Sequence, residues 1–266
     1  MSLKTRVLVG GPLGDVDIID AHMHLNAPPF YVPAADAAAL IAAMDKYGIR
    51  RGIIAPQLAI TCDMRAGNDE ALAAAAASGG RLMAYCTVNP RYPEEMNPEL
   101  ERCFAAGAVA VKIHPGIHDT AVTDPAYNRV YTFAQERGVP VLAHTWGESP
   151  RHGPRLFVEI TARFPRLVVI LGHAGGTFAG MRETIEAVRA RPANLYADLT
   201  GSMPYLNRVE LLVRAVGAER VLYGSDAPWL EPGQTLGPVL FAAIGDEERR
   251  LILGGNIRRL LHLDQA

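Results

Sequence analysis

Five of the chain's eight histidines, His22, His24, His114, His144 and His173, fall at or within two residues of the C-terminal ends of β-branched, strand-like segments. Imidazoles gathered at strand ends are candidates for metal ligands, general acids and general bases, and scatter seldom aligns them this way. His22 and His24 are two apart on one predicted strand, so their side chains project from one face and both reach a single ion. Asp226, in Tyr223-Gly224-Ser225-Asp226 at the last predicted strand, adds a carboxylate. Such a set suits Zn²⁺ or a similar borderline divalent ion better than Mg²⁺ or Ca²⁺, which take oxygen donors. Zinc is the expected ion, one per chain, with Fe²⁺, Mn²⁺, Co²⁺ and Ni²⁺ left open. An isolated His-x-His is ordinarily a pair of satisfied structural histidines. Here the further strand-end histidines and Asp226 make it a site.

The segments that must position these residues alternate. Candidate strands are Val16–Leu25, Arg51–Ala55, Leu82–Val88, Val109–His114, Val139–His144, Leu167–His173, Leu195–Leu199 and Val221–Ser225, nearly continuous in apolar character as buried parallel strands are. Helical patterns lie between and after them, at Ala34–Tyr47, Asn68–Ser78, Glu99–Ala106, Tyr127–Arg137, Arg155–Phe164, Ala179–Ala190, Asn207–Val216 and Asp246–Leu261, several stopping at glycines such as Gly48 and Gly138. Strand ends recur every 25 to 33 residues, the size of one βα unit. Eight units in series predict an α/β fold, a (β/α)8 TIM barrel forming a single domain over residues 1–266. Closure sets the eighth strand beside the first, bringing Asp226 to His22 and His24. An open doubly wound sheet is the runner-up, but neither G-x-G-x-x-G after the first strand nor G-x-x-x-x-G-K-[ST] occurs.

Composition narrows the function classes. The AVILMFWYC set is 49% of 266 residues and charged residues are 20%, ample for a large core. A formal charge of −2 disfavours capture of nucleic acid or an anionic membrane, so the expected partner is a small-molecule substrate. Cys62, Cys86 and Cys103 show neither disulfide nor metal-site spacing. No apolar run nears the ~20 residues that span a bilayer and no secretory leader is visible, so a cytoplasmic protein is expected. A barrel itself uses ~250 residues, which leaves short loops and a mouth either open or completed by a neighbouring subunit in a homodimer.

The ordered motifs resemble the amidohydrolase superfamily, and more closely its amidohydrolase-related branch, which holds metal-dependent hydrolases and aminocarboxymuconate-semialdehyde-type decarboxylases. The matching pieces are Asp20-Ala21-His22-Met23-His24, Val111-Lys112-Ile113-His114-Pro115 and Leu142-Ala143-His144-Thr145. They continue with Gly172-His173-Ala174-Gly175-Gly176, Tyr223-Gly224-Ser225-Asp226-Ala227-Pro228-Trp229 and the closing Leu253-Gly254-Gly255-Asn256-Ile257-Arg258-Arg259-Leu260-Leu261. The resemblance spans nearly the whole chain and implies a mononuclear site held by His22, His24, His144 and Asp226, with His173 beside the catalytic water and Asp226 sharing the base role. The alternative for His173 is a further ligand or a core group. In binuclear members a carbamylated strand-four lysine bridges two metals; Lys112 is read instead as an unmodified lysine paired with a buried carboxylate. TatD-like deoxyribonucleases share the His-x-His start but carry a glutamate at the fourth strand, where this chain has Val-Lys-Ile-His-Pro.

His114, Trp146, Arg151 and Trp229 are the candidate substrate contacts, the rings as walls and Arg151 as a carboxylate clamp, with Tyr205, His152 and Arg65 as weaker candidates. Gly175 and Gly176 are read as positions of positive φ or close approach, and Asp20, two before His22, as an inward-pointing support for the ligands. The leading function is hydrolysis of a small organic ester, lactone or amide by a metal-activated water. Its competitor is metal-dependent, non-oxidative decarboxylation of an unsaturated or aromatic acid, and a third reading is a catalytically dead barrel that binds ligands.

Overall fold

The structure is a computed structural model that describes residues 1–26, 29, 32–201 and 207–263. Eight parallel strands run in sequence order: β1 (Ile18–Leu25), β2 (Ile49–Pro56), β3 (Leu82–Thr87), β4 (Ala110–Ile113), β5 (Val141–His144), β6 (Val169–Gly172), β7 (Leu195–Asp198) and β8 (Val221–Leu222). Helices alternate with them, as the periodicity predicts, and the (β/α)8 architecture is the one observed. Asp36, Asp63 and Thr177 cap helix starts at Ala37, Met64 and Phe178 by accepting backbone amides. Gly48 and Gly138 end helices in the left-handed conformation, at φ 68° and 65°.

Strand parity sorts the core. Ile53, Leu142, Ile170, Tyr196 and Leu222 belong to one buried cluster, the barrel interior, while their neighbours Ile54, Val141, Val169, Leu195 and Val221 pack outward under the helices. Continuing that parity upward, His144 follows Leu142, Asp198 follows Tyr196, and Lys112 and His114 follow Ala110 into the barrel mouth.

Two features depart from the sequence-based expectation. β8 is two residues long, because from Tyr223 onward the chain closes on β1 irregularly: the amides of Ala21, Asp226 and His24 donate to the carbonyls of Tyr223, His22 and Ala227. β1 also shifts register between Asp20 and Met23, an irregularity of the kind that re-aims side chains. Ile19 and Ala21 belong to the interior cluster below the shift and Met23 packs outward above it, so His22 and His24 take the inward parity. The Tyr85 hydroxyl donates to the Ala21 carbonyl at 2.6 Å and braces this segment from β3. The C-terminal helical run is interrupted by a π-helical turn over Leu251–Gly255, where a Cβ on Gly254 would stand 1.8 Å from the Asp17 carbonyl oxygen. Only glycine permits that approach to β1. Among the described residues, no helix is long and apolar enough to cross a membrane.

Candidate functional site

The mouth of the barrel brings together side chains from seven strands and the segments that follow them. His22 sits at its centre. Its Nδ1 lies 2.5 Å from Asp198 Oδ2, and its Nε2 lies 2.7 Å from Lys112 Nζ. Asp226 Oδ1 lies 3.6 Å from His22 Nε2 and 3.3 Å from His24 Nε2. One ligand atom from each of His22, His173 and Asp226 falls within 4.8 Å of the others. His144 joins this group through His173, whose ring centroid is 4.7 Å from its own.

Backbone strain accompanies two of these groups. His173 and Asp226 hold φ of +64° and +68°, left-handed values that cost a non-glycine residue about 1–3 kcal/mol. The surroundings over-determine both. The buried Arg208 guanidinium donates to the His173 carbonyl at 2.7 Å, and the Thr145 hydroxyl donates to Gly172 while accepting from the Gly175 amide. Gly175 and Gly176 have φ of +78° and +69°, and a Cβ on Gly176 would come 2.3 Å from the Trp146 ring, so both glycines answer the close approach inferred for them. On the other side, Asp20 Oδ1 accepts the amides of His22 and Ser225 and ties β1 to the chain after β8. The register shift thus takes Asp20 out of the simple inward alternation and makes it a clasp across the closing seam.

Burial sets the protonation states. Loss of hydration lowers His24 to about 4 and His173 to about 3, and drives His114 and His144 well below the usual imidazole value. Lys112, wholly buried, is lowered by desolvation to about 8, with Asp226 and Asp198 opposing. Burial works against charge on Asp198 too, but the His22 imidazole outweighs it and leaves the carboxyl at about 2. Asp226 is likewise held below its ordinary value, desolvation being overcome by His24, His173 and His22. Asp20 goes the other way, raised by burial to about 7. The result is a set of neutral imidazoles around an ionised carboxylate, the donor chemistry of a divalent metal site. Residues and group fit: His22, His173 and Asp226 could hold an ion, with His24 and His144 beside them.

A cavity of about 280 Å³ opens over these groups, lined by His24, Gln57, His114, Ile117, His144, His173, Asp226 and Trp229. The His114 and His144 rings stack at 4.0 Å and Trp229 meets His24 edge-on at 6.5 Å, while the Trp146 ring, parallel to His144 at 6.2 Å, is not part of the lining. His114 Nδ1 also accepts the Ile117 amide, capping a short helix at the rim. Arg151 is not brought in: it does not line this cavity, its side chain is 54% exposed, and it pairs with Asp119 at 3.2 Å. Arg65 is exposed on the helix after β2. His152 stands behind His144, with Nδ1 3.1 Å from the Ser149 hydroxyl. Tyr205 lies outside the described residues. Lys112 meets an imidazole where a carboxylate partner is expected, the carboxylates of Asp198 and Asp226 acting on it through space.

Two residues that the motifs pass over belong to the mouth. Asp198 is the lone acid of an apolar strand, Leu-Tyr-Ala-Asp, with the parity of the interior Tyr196, and that was its signal. Gln57, 4% exposed, follows the last residue of β2 and carried no comparable mark.

The family model for amidohydrolases matches residues 19–263. No curated protein matches the chain. Among solved structures, a TIM-barrel protein from Bordetella bronchiseptica is 20% identical with a TM-score of 0.77, covering 94% of this chain and 100% of its own. A probable 2-pyrone-4,6-dicarboxylic acid hydrolase from Acinetobacter baumannii is 17% identical with a TM-score of 0.68, covering 92% of this chain and 99% of its own. A dihydroxybenzoic acid decarboxylase from a Polaromonas species, with bound manganese, is 16% identical with a TM-score of 0.73, covering 94% of this chain and 98% of its own. At such identities these likenesses concern the fold, whereas the family match runs through every strand described above. The chain belongs to the amidohydrolase family.

Proposed function

We propose that the protein is a metal-dependent hydrolase that opens a small organic ester, lactone or amide, with His22, His24, His144 and Asp226 holding one divalent ion and His173 acting as the base. A divalent ion bound there supplies Lewis acidity, lowering the pKa of water and polarising a substrate carbonyl. Zinc suits the histidine-rich donor set, and the manganese of the Polaromonas decarboxylase makes that ion the first alternative to test.

The observation that carries the reading is the position of His173 at the cavity wall, with a ring nitrogen within 4.8 Å of the ligand atoms of His22 and Asp226. A neutral imidazole accepts the proton of water as the oxygen attacks the carbonyl carbon, then returns it to the departing alkoxide or amine as the C–O or C–N bond breaks. The Asp226 oxygen not facing His24 is a second acceptor. Trp229 and the stacked His114 and His144 form ring-shaped walls suited to a planar substrate. Decarboxylation has the stronger call on a cationic clamp for the substrate carboxylate, and Arg151, the candidate clamp, does not line the cavity. That favours hydrolysis.

The test is a panel of lactones, aryl esters and amides set against unsaturated and aromatic carboxylic acids, with Zn²⁺ or Mn²⁺ supplied. Ring opening or acid release without CO₂ is expected. CO₂ release from the acids, with the esters and lactones untouched, would overturn the hydrolase reading in favour of the decarboxylase.

A further inference from the structure

Asp198 has both oxygens engaged and no exposure to solvent. Oδ2 lies 2.5 Å from His22 Nδ1, while Oδ1 accepts from the Thr200 amide at 2.7 Å and the Thr200 hydroxyl at 2.5 Å. We infer that Asp198 is a positioning residue that locks His22 in its Nδ1–H tautomer, so that the Nε2 lone pair faces the centre of the site, with Thr200 fixing the carboxylate that does so. The consequence for metal binding rests on the proposed role of His22 as a ligand.

A neutral imidazole has one donor nitrogen and one acceptor. A carboxylate only accepts, so the nitrogen facing Asp198 must carry the hydrogen. Lys112 Nζ, which lies 2.7 Å from Nε2 on the opposite side, donates and so demands a lone pair there. Two neighbours from different strands therefore require the same tautomer, the one that leaves Nε2 able to bind a cation.

Thr200 makes the arrangement sensitive to an isosteric change. In Asp198→Asn, the two Thr200 donors are satisfied only by the amide oxygen, which turns the NH₂ group toward His22 Nδ1. That nitrogen must then accept, the hydrogen moves to Nε2, and it points at the Lys112 ammonium. The lone pair for a metal is lost although shape and volume are kept. Thr200→Val leaves the carboxylate and the residue 200 amide in place, so it should disturb His22 much less.

Long-range ¹H–¹⁵N correlation spectra of the metal-free protein, with His22 assigned by its absence in His22→Gln, should show the Nδ1–H form in the wild type and in Thr200→Val, and Nε2–H in Asp198→Asn. Zn²⁺ retention against a competing chelator should weaken about 10- to 100-fold in Asp198→Asn and no more than a few-fold in Thr200→Val, with circular dichroism checking the fold. A wild-type His22 protonated on Nε2 would overturn the inference, as would an Asp198→Asn protein that keeps Nδ1–H and wild-type retention. If Asp198→Asn does not fold, the wild-type and Thr200→Val spectra decide. None of these readouts uses a substrate, so a failure of the proposed hydrolysis would leave the tautomer result standing and distinguishable.

Discussion

The two sides of the barrel mouth solve the burial of polar groups differently. Around β1, β7 and β8, charge is kept inside by direct pairing: Asp198 on His22, Asp226 against His24, and Asp20 across the closing seam on two backbone amides. Around β4, β5 and β6, rings stack instead, with His114 on His144, Trp146 parallel to His144, and His173 edge-on to both His22 and His144. A buried charge needs a partner of opposite sign or several hydrogen bonds, whereas a buried neutral imidazole needs little more than contact and one hydrogen bond. Under the proposed function, the first side would hold and activate, and the second would receive a planar substrate.

Asp226→Ala strikes the charged side hardest. It should lower kcat/KM by about 10³-fold or more, as removal of a proton acceptor that is also a proposed ligand does; steady-state kinetics with circular dichroism to confirm folding measures it, and full activity would dissolve the distinction between the two sides. His173→Asn, at the junction, should lower kcat by roughly 10²–10⁴-fold with the metal retained. Loss of the ion in elemental analysis would move His173 into the ligand set, where its nearness to His22 and Asp226 allows it.

Acid should destabilise the fold through the buried histidines of both sides. With folded-state values of about 4 for His24 and about 3 for His173, against an ordinary imidazole near 6.5, the unfolded chain binds more protons between those limits. Their contribution to stability is complete above pH ~6.5 and is lost as pH falls toward the folded values. His114 and His144 act in the same sense. Asp20, raised to about 7, binds its proton more tightly when folded and so opposes the trend. Melting temperatures followed from pH 7 to pH 4 should fall; a flat or rising profile would mean that the proton taken up by Asp20 outweighs the histidines.

Trp146→Ala should raise KM up to about tenfold, the equivalent of an aromatic contact of roughly 1.4 kcal/mol, with little change in kcat. A collapse of kcat instead would show that the ring positions His144 or His173. Arg151→Ala should do least, with kcat/KM essentially unchanged and stability within about 1 kcal/mol, since its exposed pair with Asp119 is of the weak surface kind. A large rise in KM would bring Arg151 back as a substrate clamp.

Much of the barrel was legible because its evidence is local. β-branched runs, helix caps and stop glycines act within a few residues, and the strand-end histidines inherit their positions from that rhythm. The predicted strand starts ran early at Val16, Val139 and Leu167 because apolar character extends below the hydrogen-bonded ladder, which begins at Ile18, Val141 and Val169. The helix Gly233–Phe241 was not anticipated, its two glycines and internal Pro238 masking a segment that folds by packing Leu236, Val239 and Leu240 into the core. Arg151 looked like a clamp because its type fits one, but a side chain of that length goes where its neighbours send it, here to Asp119.

By itself, the sequence determined the order of βα units and which donors stand at the barrel rim, because hydrophobic period and residue type are properties of short stretches. The tertiary structure alone decided that His22 answers to Asp198 and Lys112, residues 176 and 90 positions away. It also decided the register shift in β1 that lets Ile19 and Ala21 lie in the interior below and His22 and His24 face inward above. Those outcomes depend on which surfaces meet when the barrel closes, and a hydrogen bond of 2.5 or 2.7 Å between strands so distant in the chain leaves no period in the sequence to read.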